Sequence, residues 1–189
     1  MYAGHYAVAT VLRAREPRAP FWSILIGVGL LDILFAPFVL TGMDRVTLAP
    51  ETPVGLIFDS IDWSHSLLTT LVWSVLYGAL FLGSGKRVAV VAGIAVFSHY
   101  PLDLIMHPAD LALWPGSETR LGLGLWQTAP PLWWFFELML IFAGCAYYVR
   151  ECRRAEALKG GRPVAVALVI LGLHVFNSPW VTALTRPTP

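Results

Sequence analysis

Five apolar stretches, at approximately 21–42, 63–83, 87–106, 130–149 and 163–184, each approach the roughly 20 residues that a bilayer-spanning helix needs. Helix-breaking signals separate them: Gly83-Ser84-Gly85 after the second, Pro108 and Pro115 after the third, Pro130-Pro131 at the start of the fourth, and Gly160-Gly161 with Pro163 ahead of the fifth. Residues 1–12 form one more apolar segment, too short to cross, which predicts a half-helix or an interfacial helix leaning into the bundle. The pattern therefore predicts an all-α, polytopic membrane bundle of about five transmembrane helices plus a short N-terminal half-helix, as a single domain over residues 1–189.

Composition agrees with the pattern. With 57% hydrophobic and only 13% charged residues in 189, the chain is too apolar for a water-soluble domain of its size. A formal net charge of +1, confined to short connecting segments, provides no basic field of the kind that recruits nucleic acid, so nucleic acid is not an expected partner. Cys145 and Cys152 are too few for a zinc finger and awkwardly spaced on one helix for a disulfide, so they are expected to pack. The opening MYAGHYAVATVLRAR has its apolar run before its arginines, the reverse of a secretory signal, and is expected to stay on the mature protein.

Basic residues set the orientation. Arg13, Arg15 and Arg18, then Lys86 and Arg87, then Arg150, Arg153, Arg154, Lys159 and Arg162 fall in alternate connections, which are expected in the cytoplasm. The remaining connections, 43–62 and 107–129, hold Asp44, Glu51, Asp59, Asp62, Asp110 and Glu118 against only Arg45 and Arg120, and are expected outside, with Trp63, Trp114, Trp126, Trp133 and Trp134 near the outer ends as an aromatic belt.

Ionisable side chains inside a bilayer cost several kcal/mol unless paired or liganded, so each marks a functional candidate. Asp32 lies in the first span, His65 opens the second, His99 and Asp103 are in the third with His107 at its end, Glu137 is in the fourth, His174 in the fifth and His5 in the N-terminal segment. At a rise of about 1.5 Å per residue, Asp32, His99, Asp103 and Glu137 converge on the outer half of the hydrocarbon, with His65 entering from the outer end and His5 deepest. In SHYPLDLIMHPAD, His99, Asp103 and His107 recur every four residues and project from one helical face, where imidazole and carboxylate suit a divalent ion such as zinc with other helices completing the shell. Plainer readings stand beside this one. His174 fits a helix-to-helix hydrogen bond, His107 and Asp110 fit a helix end, Glu137 fits a simple ion pair, and the Trp133-Trp134-Phe135-Phe136 run fits a lipid-facing or interfacial surface.

At these residues the chain resembles the YdjM-like proteins, a bacterial inner-membrane family described as metal-dependent hydrolases. Gly4-His5, the aspartate of LLDILFAP, the WSHSLL segment and the string SHYPLDLIMHPADLALWPG carry the likeness, over most of residues 1–127. The family is in turn similar to the all-helical zinc-dependent phospholipase C and single-strand nuclease group. The resemblance implies that Asp32, His65, His99 and Asp103 hold one metal, that His5 holds a second with Asp103 bridging, and that His107 and Glu137 are remnants of a further site. Leu34 stands where the family has a second aspartate, and FDSID replaces an extra histidine, which leaves the count at one or two ions.

Two functions of different class follow. The first is a membrane-embedded hydrolase in which a zinc-bound water attacks an ester or phosphoester of a lipid or lipid-linked substrate. Asp32 or Glu137 would take the proton, His107 or Asp110 would assist the leaving group, and the 108–127 loop would act as a lid. Its site would face the periplasmic side of a bacterial inner membrane. The alternative is an ion or proton transporter, or a non-catalytic scaffold with a structural metal.

Overall fold

A computed structural model describes residues 3–50, 52, 55–155, 161–176 and 178. The chain runs through α1 (Ala3–Arg15), α2 (Phe21–Val28), α3 (Leu30–Leu40), β1 (Arg45–Leu48), β2 (Leu56–Ser60), α4 (Asp62–His65), α5 (Leu67–Ala79), α6 (Lys86–Phe97), α7 (His99–Met106), β3 (Leu111–Ala112), β4 (Arg120–Leu121), α8 (Leu125–Thr128), α9 (Pro130–Arg154) and α10 (Arg162–Phe176). The predominantly helical character is as expected. The expected count of about five spans is not.

Among the described residues, two helices are long and apolar enough to cross a membrane: Lys86–Met106, where α6 and α7 run on through Ser98, and Pro130–Arg154. A third is reached only if α2 and α3, bent by 50° at Gly29, are taken as one broken span. The second expected stretch fails because Ser66 adopts an extended backbone (φ −69°, ψ 155°) and caps Thr69 N–H, so a regular helix begins only at Leu67. Its 13 residues rise about 20 Å, short of a hydrocarbon layer of about 30 Å. The fifth is described as a helix of 15 residues ending at Phe176, and the remainder of that expected span falls outside the described residues apart from Ser178.

The N-terminal segment is a short helix, α1, packed into the bundle. Its buried face is Ala3, Gly4, His5, Ala7, Ala9 and Thr10, and small residues there let α1 sink between α9, α2 and α10. The tightest approach is at Gly144, where a Cβ would lie 2.8 Å from the Ala7 carbonyl oxygen, so a glycine lets α9 lie almost on the α1 backbone. Two apolar clusters flank α1. Ala9, Ala19, Ile24, Val28, Val88 and Ala95 pack on one side, and Ala3, Ala7, Ile141, Cys145 and Ile170 on the other. Both cysteines are free, with Cys145 in this packing.

The connections expected to be plain loops fold back as two antiparallel hairpins. In β1–β2, Val46 pairs with Phe58, Thr47 with Ile57 and Leu48 with Leu56, while β3–β4 pairs Leu111 with Leu121 and Ala112 with Arg120. The second hairpin is tied to α4 because Asp62, buried, receives the Arg120 guanidinium and the Gly116 N–H, the latter at 2.9 Å. Gly122, at φ +151°, seats the returning strand so close to Pro108 that a Cβ would overlap its carbonyl.

Candidate metal centre

Helix α7 supplies the centre of the site. His99 and Asp103, one turn apart, place Nε2 and Oδ2 3.0 Å from each other. His65, at the end of the short α4, brings its Nε2 to 3.8 Å from Asp103 Oδ2 and 3.6 Å from Asp32 Oδ1. Asp32, in the first turn of α3, lies 3.7 Å from His99 Nε2. His5, from α1, sits on the other carboxylate oxygen, with Nε2 3.3 Å from Asp103 Oδ1. All of His5, Asp32, His65, His99 and Asp103 therefore meet, and the rings of His65 and His99 have centroids 5.3 Å apart. His107 joins them by a different route from the one its spacing suggested. The helix ends at Met106 and His107 is extended (φ −66°, ψ 145°), yet its Nε2 is still 3.7 Å from Asp103 Oδ2.

The donor set fits a divalent cation. In a tetrahedral shell with ligands at about 2.0–2.1 Å, donor atoms lie about 3.3 Å from one another. Of the six separations among Asp32 Oδ1, His65 Nε2, His99 Nε2 and Asp103 Oδ2, four measure 3.0, 3.6, 3.7 and 3.8 Å, close to that value. The orientation of the rings sharpens the case. His99 Nδ1 donates to the Val28 carbonyl at 2.7 Å, which turns its buried Nε2 towards the cluster, 3.0 Å from Asp103 Oδ2. A bare lone pair and a carboxylate oxygen at that distance repel, so either a proton or a metal cation belongs between them. Two groups of buried or half-buried donors, His5–His99–Asp103 and Asp32–His65–His99, keep all their ligand atoms within 4.8 Å of one another.

A cleft of about 170 Å³ reaches this cluster, walled by Asp32, His65, Asp103 and His107 on the polar side and by Phe35, Leu56, Phe58, Ile61 and Trp126 on the apolar side. Asp32 is the open member of the cluster, its side chain 49% exposed while those of His65, His99 and Asp103 are buried. Leu56 and Phe58, alternate residues of β2, roof the cleft. Trp126 corrects its expected place in an aromatic belt: it is buried, with its ring 4.2 Å from that of His107 and 6.0 Å from Phe58. Trp133 packs beside it, Trp134 stacks on His174, and in the same run Phe135 and Phe136 are exposed.

Asp110 reaches the centre only through His107, whose Nδ1 donates to its Oδ1 at 2.9 Å. Glu137 does not line the cleft. Its Oε1 accepts the Gly4 N–H at 2.7 Å and its Oε2 lies 3.3 Å from His174 Nδ1, so it holds the start of α1 and pairs α9 with α10. Glu137 and His174, expected as a simple ion pair and a helix-to-helix hydrogen bond, face each other across α9 and α10 away from the cleft. Sequence reasoning passed over three groups behind the cluster: Ser64, which sits in the very WSHSLL string that drew attention to His65, Asp44, and the Val28 carbonyl, a main-chain atom that no residue type announces.

Comparison of the chain with family models, curated proteins and solved structures finds no match.

Proposed function

We propose that this chain is a membrane-embedded, metal-dependent hydrolase of an ester or phosphoester bond in a lipid or lipid-linked substrate, akin to the YdjM-like proteins it resembles. The observation that carries the reading is the convergence of Asp32, His65, His99 and Asp103, with the buried Nε2 of His99 facing the Asp103 carboxylate at its centre. These four side chains would hold one cation, with zinc matching the nitrogen and oxygen donors, and His5 with Asp103 would hold a second. A divalent cation there supplies Lewis acidity and lowers the pKa of coordinated water towards neutrality. The chain's own residues supply the rest. Asp32, on the open side, meets the substrate's polar group, and the His107–Asp110 pair on the cleft wall accepts and returns a proton. Phe35, Leu56, Phe58 and Trp126 receive the apolar part of an amphiphile and keep bulk water off the centre. The distribution of basic residues supports a bacterial inner-membrane location with the cleft towards the periplasmic side.

The test is metal analysis of detergent-purified protein beside the His99→Ala, Asp103→Ala double variant, followed by a panel of phospholipids and lipid diphosphates. Stoichiometric zinc in the native chain, its loss in the variant, and zinc-dependent hydrolysis are the expected results. Equal metal in both proteins overturns the site. Metal-dependent ion flux without turnover overturns the hydrolase in favour of a transporter.

A further inference from the structure

Behind His65 lies a hydrogen-bond chain that ends on a carboxylate outside the cluster. Asp44, just before β1, is fully buried, and its carboxylate accepts from Trp63 N–H at 2.9 Å, Ser64 N–H at 3.2 Å and the Ser64 hydroxyl at 2.5 Å. The two backbone bonds are explained by the helix they serve. Helix α4 starts after Ile61, which has no capping side chain, so its first N–H groups need an acceptor from elsewhere and Asp44 provides it. The third bond is not needed for capping. It fixes the single hydroxyl proton of Ser64 on Asp44, and Ser64 Oγ is left with lone pairs only. His65 Nδ1 lies 2.7 Å from that oxygen and must therefore be the donor. The remaining ring nitrogen, Nε2, faces Asp32 and Asp103, and in the neutral imidazole it is the one that carries the lone pair.

We infer that Asp44 and Ser64 are positioning residues for the cation site: acting in series, they place the proton of His65 on Nδ1, orient its ring and strengthen Nε2 as a ligand. The inference rests on reading the cluster as a metal site. The same logic governs the neighbours by shorter routes, since His99 Nδ1 donates to the Val28 carbonyl and His107 Nδ1 to Asp110. The His65 route differs in origin. Asp44 belongs to the base of the β1–β2 hairpin, whose Leu56 and Phe58 roof the cleft, so the roof and a cation ligand share one chain of hydrogen bonds.

Ser64→Ala isolates the step, because it removes the hydroxyl while leaving Asp44 both backbone N–H groups of α4. Two measurements on full-length protein in detergent decide the matter. Zinc affinity by chelator competition is expected to fall about 10- to 100-fold in Ser64→Ala, the usual effect of removing a ligand's hydrogen-bond partner, and to recover in Ser64→Thr, which restores the hydroxyl. In metal-free protein, 15N NMR of the histidines, with His65 assigned by its loss in His65→Gln, is expected to find the proton on Nδ1, and a mixture of tautomers in Ser64→Ala. A native His65 protonated on Nε2 overturns the inference, as does a Ser64→Ala protein with native zinc affinity. If the native chain binds no zinc, the metal reading fails, and the tautomer measurement still decides whether Asp44 and Ser64 direct the His65 proton.

Discussion

The imidazoles of His5 and His99 lie face to face, with ring centroids 3.7 Å apart and 6° between their planes. Two-metal hydrolytic sites have their ions about 3.5–4 Å apart, a distance of the same size as the separation of these rings. Asp103 offers Oδ1 to one ring and Oδ2 to the other. His5→Ala should therefore halve the bound metal, from two ions per chain to one, as read by elemental analysis. An unchanged stoichiometry would detach His5 from the centre.

Glu137 anchors that arrangement from a distance. Its Oε1 receives the Gly4 N–H one residue before His5, and leaving a buried N–H unpaired costs about 1–3 kcal/mol. Glu137→Leu should lower the denaturation midpoint in detergent and weaken the His5-dependent ion, whereas Glu137→Gln, which keeps an oxygen acceptor, should stay near the native protein on both counts. Equal behaviour of the two variants would argue that the carboxylate does not hold α1.

Close packing of α1 on α9 should be equally sensitive. A Cβ at Gly144 would meet the Ala7 carbonyl at 2.8 Å, a main-chain atom that cannot swing aside. Gly144→Val is expected to cost about 1–3 kcal/mol, typical of overpacking, and to reduce zinc affinity because α1 carries His5. Denaturant titration and chelator competition measure the two effects, and a stable variant with native affinity would mean that α1 can shift without moving His5.

The clamp between Asp62 and Arg120 joins the helix that bears His65 to the hairpin beyond Asp110. Breaking it from one side with Arg120→Ala strands a buried carboxylate, for a loss of about 3 kcal/mol, the low end for buried pairs because Arg120 keeps part of its side chain in solvent. Replacing both with apolar residues, Asp62→Leu with Arg120→Met, should restore part of that loss. A double variant less stable than the single would show the pair to be worth more than its desolvation.

At the turn joining α1 to α2, Arg18 donates to both oxygens of Glu16, at 2.7 and 2.9 Å, and these hydrogen bonds hold that carboxyl down at about 2. A depressed carboxylate stabilises the fold above its ordinary value of 4.5 and loses that contribution as pH falls through about 2. Carboxyl 13C NMR should follow Glu16 titrating near 2 in the native chain and near 4.5 in Arg18→Ala. The same midpoint in both would remove Arg18 as the cause.

The site was more legible in the sequence than the spans were. A buried ionisable residue in an apolar run stands out singly, and the four-residue step from His99 to Asp103 translates directly into one helix face. Span count depends instead on whether a helix continues, and the backbone departures at Gly29 and Ser66 are each one residue wide inside stretches that remain apolar throughout. Residues 1–12 were legible as a short helix leaning into the bundle, and the alanines and glycine of its buried face show how closely it packs there. Trp126 misled through type: an indole near a helix end suits an interface, and only the fold of the 107–124 loop brings it against His107.

The bend at Gly29 has an outcome for the far side of the molecule. Because the chain changes direction there, the vertex rather than either arm touches the ring of His99, offering it the carbonyl of the last residue of α2. An uninterrupted rod from Phe21 to Leu40 would turn that carbonyl into its own ladder, and the imidazole could rotate to present an N–H where a lone pair is wanted. The irregularity that breaks the helix is thus the one that selects which nitrogen faces the carboxylates.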